Sequence, residues 1–302
     1  MRLRTNLAAD AALLLTTLIW GSTFVIAKEL LTSWPPFAYL SFRFALASLA
    51  FALLFPRHIF RASREEWRAA ITLGLLVGGG FALQTIGQVY TTPAKSAFIT
   101  GLTTPLVPII AYLLTGARPS RENAVGITLA SLGGALILMP HESGKVNLGD
   151  LVTLASTICF ALHIVYMSLY ARRHDIKRLS ALQIGVAAIC FIALWPLERA
   201  AHSGSVPLVW SGRVLWQIIY LALIATVLTF LLWTWGQARA SATHAAIIFS
   251  LEPVFATLFA LAVRGGEEWF GLRGSIGAAL VLIGVIASEL RWTDRLEEAV
   301  LD

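Results

Sequence analysis

The chain has 302 residues, 57% of them hydrophobic and only 13% charged, with a mean hydropathy of +0.75. That charge fraction is about half the share found in soluble globular proteins, and a soluble core cannot absorb so much apolar surface. A net charge of +6 could suggest nucleic acid, but the Lys and Arg sit in short clusters between apolar segments, which fits membrane orientation instead, so the bilayer and not a nucleic acid is the expected partner.

Stretches of about twenty apolar residues are long enough to cross a bilayer as helices. Ten follow one another: about 11–31, 36–55, 69–89, 94–115, 123–139, 149–170, 180–198, 214–236, 242–263 and 271–290. Arg2 and Arg4 precede the first, which reads as an uncleaved helix because it runs on to Ala27 through Trp20 without a small-residue cleavage site. With the N-terminus in the cytoplasm, most of the Lys and Arg fall on that side, among them Arg57, Arg64, Arg68, Arg172, Arg173, Lys177 and Arg178. This predicts both termini in the cytoplasm and a multi-pass protein of the plasma membrane, the inner membrane in a bacterium. Cys159 and Cys190 lie inside apolar segments and imply no disulfide framework.

Polar and aromatic residues inside the spans are the candidates for function, because lipid-facing positions do not accept them cheaply. In chain order, Trp20 lies deep in the first span and offers a flat wall. Arg43, in the second, requires an acid or helix-end carbonyls as partner, and either holds a substrate anion or pins its helix. Gln84 and Gln88 share a face of the third, and either contact a substrate or bond across helices. Thr100, Thr103 and Thr104 precede Pro105 in the fourth, where threonines commonly bond the carbonyl one turn back. His163 and Tyr166 pair a titratable group with a hydroxyl on the sixth. Trp233 and Trp235 sit near the end of the eighth, while Trp34, Trp67, Trp269 and Trp292 read as interfacial anchors. Lys95 is expected to snorkel from a helix start. Gly74, Gly78, Gly126, Gly133, Gly134, Gly277 and Gly284 read as close helix packing. In the ninth span, Glu252 and Pro253 interrupt AAIIFSLEPVFATLFALAV. An acid removed from water favours its neutral form, which makes Glu252 the candidate proton carrier. Its alternatives are a helix cap or a pair with Arg43.

The chain also repeats itself. TIGQ at 85–88 returns as TWGQ at 234–237, and AKSAFITGLTTPLVPIIAYLL (94–114) aligns with ATHAAIIFSLEPVFATLFALA (242–262), setting Pro105 against Pro253 and Thr104 against Glu252. GITLASLGGALIL (126–138) aligns with GAALVLIGVIASE (277–289), and LIWGSTFVIAK (18–28) lies opposite ICFALHIVYMS (158–168). Five helices per copy invert the second, as in many secondary transporters, which bind at the repeat interface. The expected fold is therefore an all-α integral membrane protein of ten transmembrane helices in two inverted five-helix repeats, 8–139 and 149–290, with a linker at 140–148 and a tail at 291–302.

The duplicated unit, the LIWGSTFVIAK first helix, Arg43, the LEPVFATLFA stretch and the GAALVLIGV last helix resemble the EamA family of the drug/metabolite transporter (DMT) superfamily. The resemblance covers residues 10 to 290. It implies ten helices, cytoplasmic termini and transport of small metabolites, often efflux of amino acids or related compounds. The first-helix glutamate of the related small multidrug resistance proteins is absent, with Trp20, Ser22 and Thr23 in that region. There is no HExxH, GxSxG or GxxxxGK motif and no Cys/His set at metal-ligand spacing, so neither an enzyme nor an ATP-driven pump is expected, and no cofactor or metal. The reading is a secondary transporter, an exporter by alternating access, acting as a monomer or homodimer. A passive facilitator, or a receptor or helper protein on the same fold, is the alternative.

Overall fold

The structure, a computed structural model, describes residues 7–59, 62–116, 121–139, 147–201, 208–239, 248–268 and 271–289. The expected linker falls almost wholly outside them, as do the C-terminal tail, Trp269, Trp292 and the first part of the ninth predicted span. All described regular structure is helical: α1 (Leu7–Leu30), α2 (Pro36–Leu54), a single turn at Pro56–Ile59, α3 (Arg64–Tyr90), α4 (Pro93–Gly101), α5 (Thr103–Thr115), α6 (Arg121–Leu138), α7 (Leu148–Tyr170), α8 (Ile176–Ala201), α9 (Gly212–Ile219) continuing through π-helical turns (Tyr220–Leu228) into α10 (Thr229–Gln237), then α11 (Glu252–Arg264), a 3₁₀ turn (Gly265–Glu268) and α12 (Gly271–Glu289). Among the described residues seven helical runs are long and apolar enough to cross a membrane, and Ala124–Ile137 and Gly271–Gly284 form two shorter apolar helices.

Local sequence explains the boundaries. Ser63 and Glu66 form a reciprocal cap at the start of α3. Thr92 caps α4 ahead of Pro93, and Asn147 caps α7. The fourth predicted span breaks at Leu102: Pro105 has no N–H to give the Gly101 carbonyl, so the helix ends there and restarts as α5. At the repeat-aligned position α11 begins at Glu252 with Pro253 in its first turn. The two breaks touch, since a Cβ added to Gly101 would stand 2.9 Å from Pro253 Cγ.

Contacts at the two ends of α1 give the direction of its neighbours. At the Leu30 end, Lys28 Nζ donates to the carbonyls of Gln88 and Val89 at the end of α3 (2.8 and 2.9 Å), and Glu29 pairs with Arg213 at the start of α9. At the Leu7 end, Gly236 near the end of α10 meets Leu13 and Ala9. The halves interleave: α6 lies along α12, α3 against α7 and α8, and α1 against α10 and α11. At α6 and α12 the backbones approach so closely that a Cβ on Gly133 would lie 2.4 Å from the Gly277 carbonyl oxygen. The exterior carries exposed Leu53, Leu113, Ile189 and Leu272, while Thr16, Thr17, Asp150, Ser180, Gln183 and Thr234 are fully buried. An apolar outside around a partly polar inside is what lipid requires.

Two sequence expectations change here. Lys95 does not snorkel; it pairs with Asp150, whose carboxylate is fully buried and also accepts from Thr91 Oγ1 (2.6 Å). Trp34 is not an interfacial anchor but a core residue, 1% exposed, donating from Nε1 to the Val209 carbonyl (3.0 Å). Both corrections come from chain segments brought together across the halves, which hydropathy along one segment does not reveal.

Candidate functional site

A cavity of about 80 Å³ lies where the two helix breaks meet. It is lined from α1 (Trp20, Thr23, Phe24), α2 (Arg43), α3 (Val77, Phe81, Gln84), the α4–α5 break (Thr100, Gly101, Thr103, Thr104), α7 (Phe160, Ile164), α10 (Phe230, Trp233) and the break before α11 (Phe249, Glu252).

Arg43 is 2% exposed. Its Nε donates to Thr226 Oγ1 (3.0 Å), Nη1 to Tyr39 OH (2.9 Å) and Nη2 to the Ala225 carbonyl (3.3 Å). Its guanidinium also lies 4.8 Å from the Phe81 ring centroid. The expectation of an acid or helix-end carbonyl partner needs correcting: among the described residues no acid pairs with Arg43, and its carbonyl partner lies inside the π-turns. Those turns follow an i to i−5 pattern, with Thr229 N–H reaching the Ile224 carbonyl, and they bring the Ala225 carbonyl within reach of side chains. Trp20 Nε1 uses the same carbonyl (3.2 Å) and Thr229 Oγ1 (3.1 Å).

Opposite these polar groups, Gln84 Nε2 donates to Thr100 Oγ1 (3.0 Å), so Thr100 bonds across helices. The Thr103 hydroxyl is buried without a partner. Glu252 makes neither an ion pair with Arg43 nor a hydrogen bond to any other described residue, and α11 has no side-chain cap. A guanidinium with only neutral partners and an unpaired carboxyl group thus line one space. Four of the lining rings, Trp20, Phe230, Trp233 and Phe249, form one cluster in which each Trp contacts the other three, with Trp20–Trp233 centroids 5.1 Å apart and Trp233–Phe249 5.8 Å.

Of the residues singled out in the sequence, Trp20, Arg43, Gln84, Thr100, Thr103, Thr104, Trp233 and Glu252 come together on this cavity. Gln88 stands outside it, donating to the Phe24 carbonyl (2.7 Å). His163 sits behind Trp233, ring centroids 4.9 Å apart, and hydrogen-bonds Gln183 (2.8 Å). Tyr166 stacks on Tyr170, and Trp235 lies under Arg239. The sequence reading passed over Phe24, Phe81, Phe160 and Phe230, because a phenylalanine in a membrane helix gives no polar signal to separate cavity wall from lipid face. Among the described residues no group of His, Cys, Asp and Glu could hold a metal ion.

A multi-pass helical bundle with a central, partly polar cavity between broken helices defines a membrane transporter by class. The profile of the EamA-like transporter family matches residues 7–139 and again 147–289, and the chain belongs to that family. It is 32% identical over 286 residues to an uncharacterized transporter of Archaeoglobus fulgidus, covering 95% of this chain and 87% of the relative. It is 27% identical to the uncharacterized transporter YyaM of Bacillus subtilis, covering 89% of each, and 26% identical to the uncharacterized inner membrane transporter YedA of Escherichia coli, covering 94% of this chain and 92% of YedA. A solved crystal structure shares the fold with a TM-score of 0.68 at 18% identity, over 93% of this chain and 96% of that one.

Proposed function

We propose that the protein is a secondary exporter of small metabolites such as amino acids or related compounds, working by alternating access with both termini in the cytoplasm of a bacterial inner membrane. Ten spans in two inverted repeats, about 8–139 and 149–290, enclose the path. Family membership, the Lys and Arg asymmetry and the aligned helix breaks support this reading. The observation that carries it is the cavity itself, which presents the Arg43 guanidinium and the unpaired Glu252 carboxyl to one space. Such a pair of groups suits a solute with an anionic and a cationic or donor end. A cavity of about 80 Å³ has room for a few waters and is smaller than the usual ligand pocket. A metabolite therefore needs the walls to move, as a rocking carrier requires.

Glu252 is the coupling group in this reading: protonated in one access state and charged in the other, it ties flux to the proton gradient. The test is Glu252→Gln in proteoliposomes, which keeps size and hydrogen bonding and removes the titration. With candidate amino acids as solutes, the variant is expected to retain exchange and lose its response to an imposed pH gradient. Wild-type flux indifferent to that gradient points to a passive facilitator, and binding without flux to a receptor or helper role.

A further inference from the structure

Two neighbouring groups of the π-turns, the Thr226 hydroxyl and the Ala225 carbonyl, hold Arg43 from across the bundle. A threonine inside a helix commonly donates its hydroxyl hydrogen to the carbonyl four residues back, as Thr229 does to Ala225 (2.9 Å) and Thr234 to Phe230 (2.7 Å). Thr226 instead donates to Leu221, five residues back (2.8 Å). Its one hydrogen is thereby committed, and toward Arg43 Nε (3.0 Å) the oxygen can only accept. The π-register therefore decides both where this hydroxyl stands and which way it is turned.

The Ala225 carbonyl is loaded differently. It accepts from Thr229 Oγ1 (2.9 Å), Trp20 Nε1 (3.2 Å) and Arg43 Nη2 (3.3 Å), so the guanidinium makes the longest of three bonds to one oxygen. Arg43 can withdraw Nη2 and leave that carbonyl satisfied by the other two donors. Nε has a single hydrogen and gives it to Thr226, while Nη1 is tied to Tyr39 OH on its own helix (2.9 Å). Three of the five N–H groups are engaged and two remain, on a side chain that is 2% exposed and lines the cavity.

We propose that Thr226 is a positioning residue for anion binding: it holds Arg43 at Nε while Nη1 and Nη2 turn their remaining N–H groups to a carboxylate or similar oxyanion in the cavity. The inference rests on the transporter reading, in which Arg43 meets the anionic end of the solute, and it names a residue outside the cavity lining that sets the affinity for that end. Arg43 belongs to the first segment matched by the family profile and Thr226 to the second, so neither half carries the anion site alone.

Acetate and acetamide, close in size and different in charge, are the probes. The affinity of each is read from the rise in unfolding midpoint of the purified protein in detergent, at constant ionic strength set with gluconate. The unmodified protein is expected to be stabilised by acetate and not by acetamide. Thr226→Val keeps the shape and removes the acceptor, and should weaken acetate about tenfold, whereas Thr226→Ser keeps the hydroxyl and should stay within about twofold. A threonine needed only for packing would lower the midpoints and leave the acetate affinity unmoved. Equal acetate affinity with Thr226→Val, a Thr226→Ser variant as weak as Thr226→Val, or acetate no better than acetamide on the unmodified protein overturns the proposal. If Thr226→Val does not fold, arginine-selective nitrogen NMR of the unmodified protein decides: acetate should move the Nη signals of Arg43 and leave its Nε–H protected from exchange, and unmoved Nη signals or a freely exchanging Nε–H overturn it. Acetate binding that depends on Thr226 in a protein without flux refutes the transporter reading and leaves the anion site standing; flux with an acetate affinity indifferent to Thr226→Val does the reverse.

Discussion

Arg43 is the residue whose chemistry is most constrained. Three of its five N–H groups are used on neutral partners, and its face stacks on Phe81. Its positive charge therefore remains uncompensated among the described residues, and in the proposed function the anionic end of the solute completes it. Arg43→Gln takes the guanidinium donors from Thr226 and Tyr39, while the Ala225 carbonyl keeps Trp20 Nε1, and the expected loss of stability is on the order of 3 kcal/mol. Arg43→Lys does not restore it, because a single ammonium cannot span the three acceptors held by the planar fork. Thermal unfolding followed by fluorescence-detected size exclusion checks both variants. Normal stability in Arg43→Gln, with loss confined to anionic solutes, would assign Arg43 to binding and not to pinning its helix.

At the scale of elements, the helices are joined by specific polar ties and by close approaches at small residues. Thr91, Lys95 and Asp150 join the α3–α4 turn to the start of α7, across the boundary between the two halves. Beside them, Gly87 and Gly149 bring α3 and α7 so close that a Cβ on Gly149 would lie 2.6 Å from the Gly87 carbonyl oxygen. Because the Asp150 carboxylate is fully buried, Lys95→Met alone strands a charge and is expected to cost on the order of 3 kcal/mol. The double variant Lys95→Met, Asp150→Leu removes both charges and should recover most of that loss. A double-mutant cycle by thermal unfolding in detergent measures it; equal loss in the single and double variants would mean that the pair contributes through packing alone. The α4–α5 break and the break before α11 touch each other at Gly101 and Pro253 and both line the cavity.

For the whole molecule, the prediction concerns sidedness. The cavity touches seven helical runs drawn from both halves, so relative movement of the halves changes its access. Single cysteines at Gln84 and Phe249 should each react from one side in one state and from the other when a transported solute is present, because the proposed alternating-access cycle keeps the path closed at one end at a time. Impermeant-thiol labelling of right-side-out and inside-out vesicles reads this. Simultaneous exposure to both sides would indicate a channel.

The membrane class, the interruption at Pro253 and the family were legible in the order of residues, because each depends on runs of about twenty positions or on local backbone chemistry, whereas the break of the fourth predicted span at Leu102 was not expected. Hydropathy sums along one segment, and a proline acts on the carbonyl four residues before it. Trp20, Gln84 and Glu252 were visible as cavity candidates for the same reason: a polar or large aromatic group deep in an apolar run is costly wherever it faces lipid. Partners were not legible. That Lys95 meets Asp150, that Trp34 is buried against Val209, that Gln88 serves Phe24 while Gln84 faces the cavity, and that Arg43 bonds π-turn atoms from Ala225 and Thr226 depend on which helices touch and at what rotation. Helix rotation is set by side-chain packing between segments far apart in the chain, such as Gly133 against Gly277, and a periodicity that is apolar on every face carries no record of it.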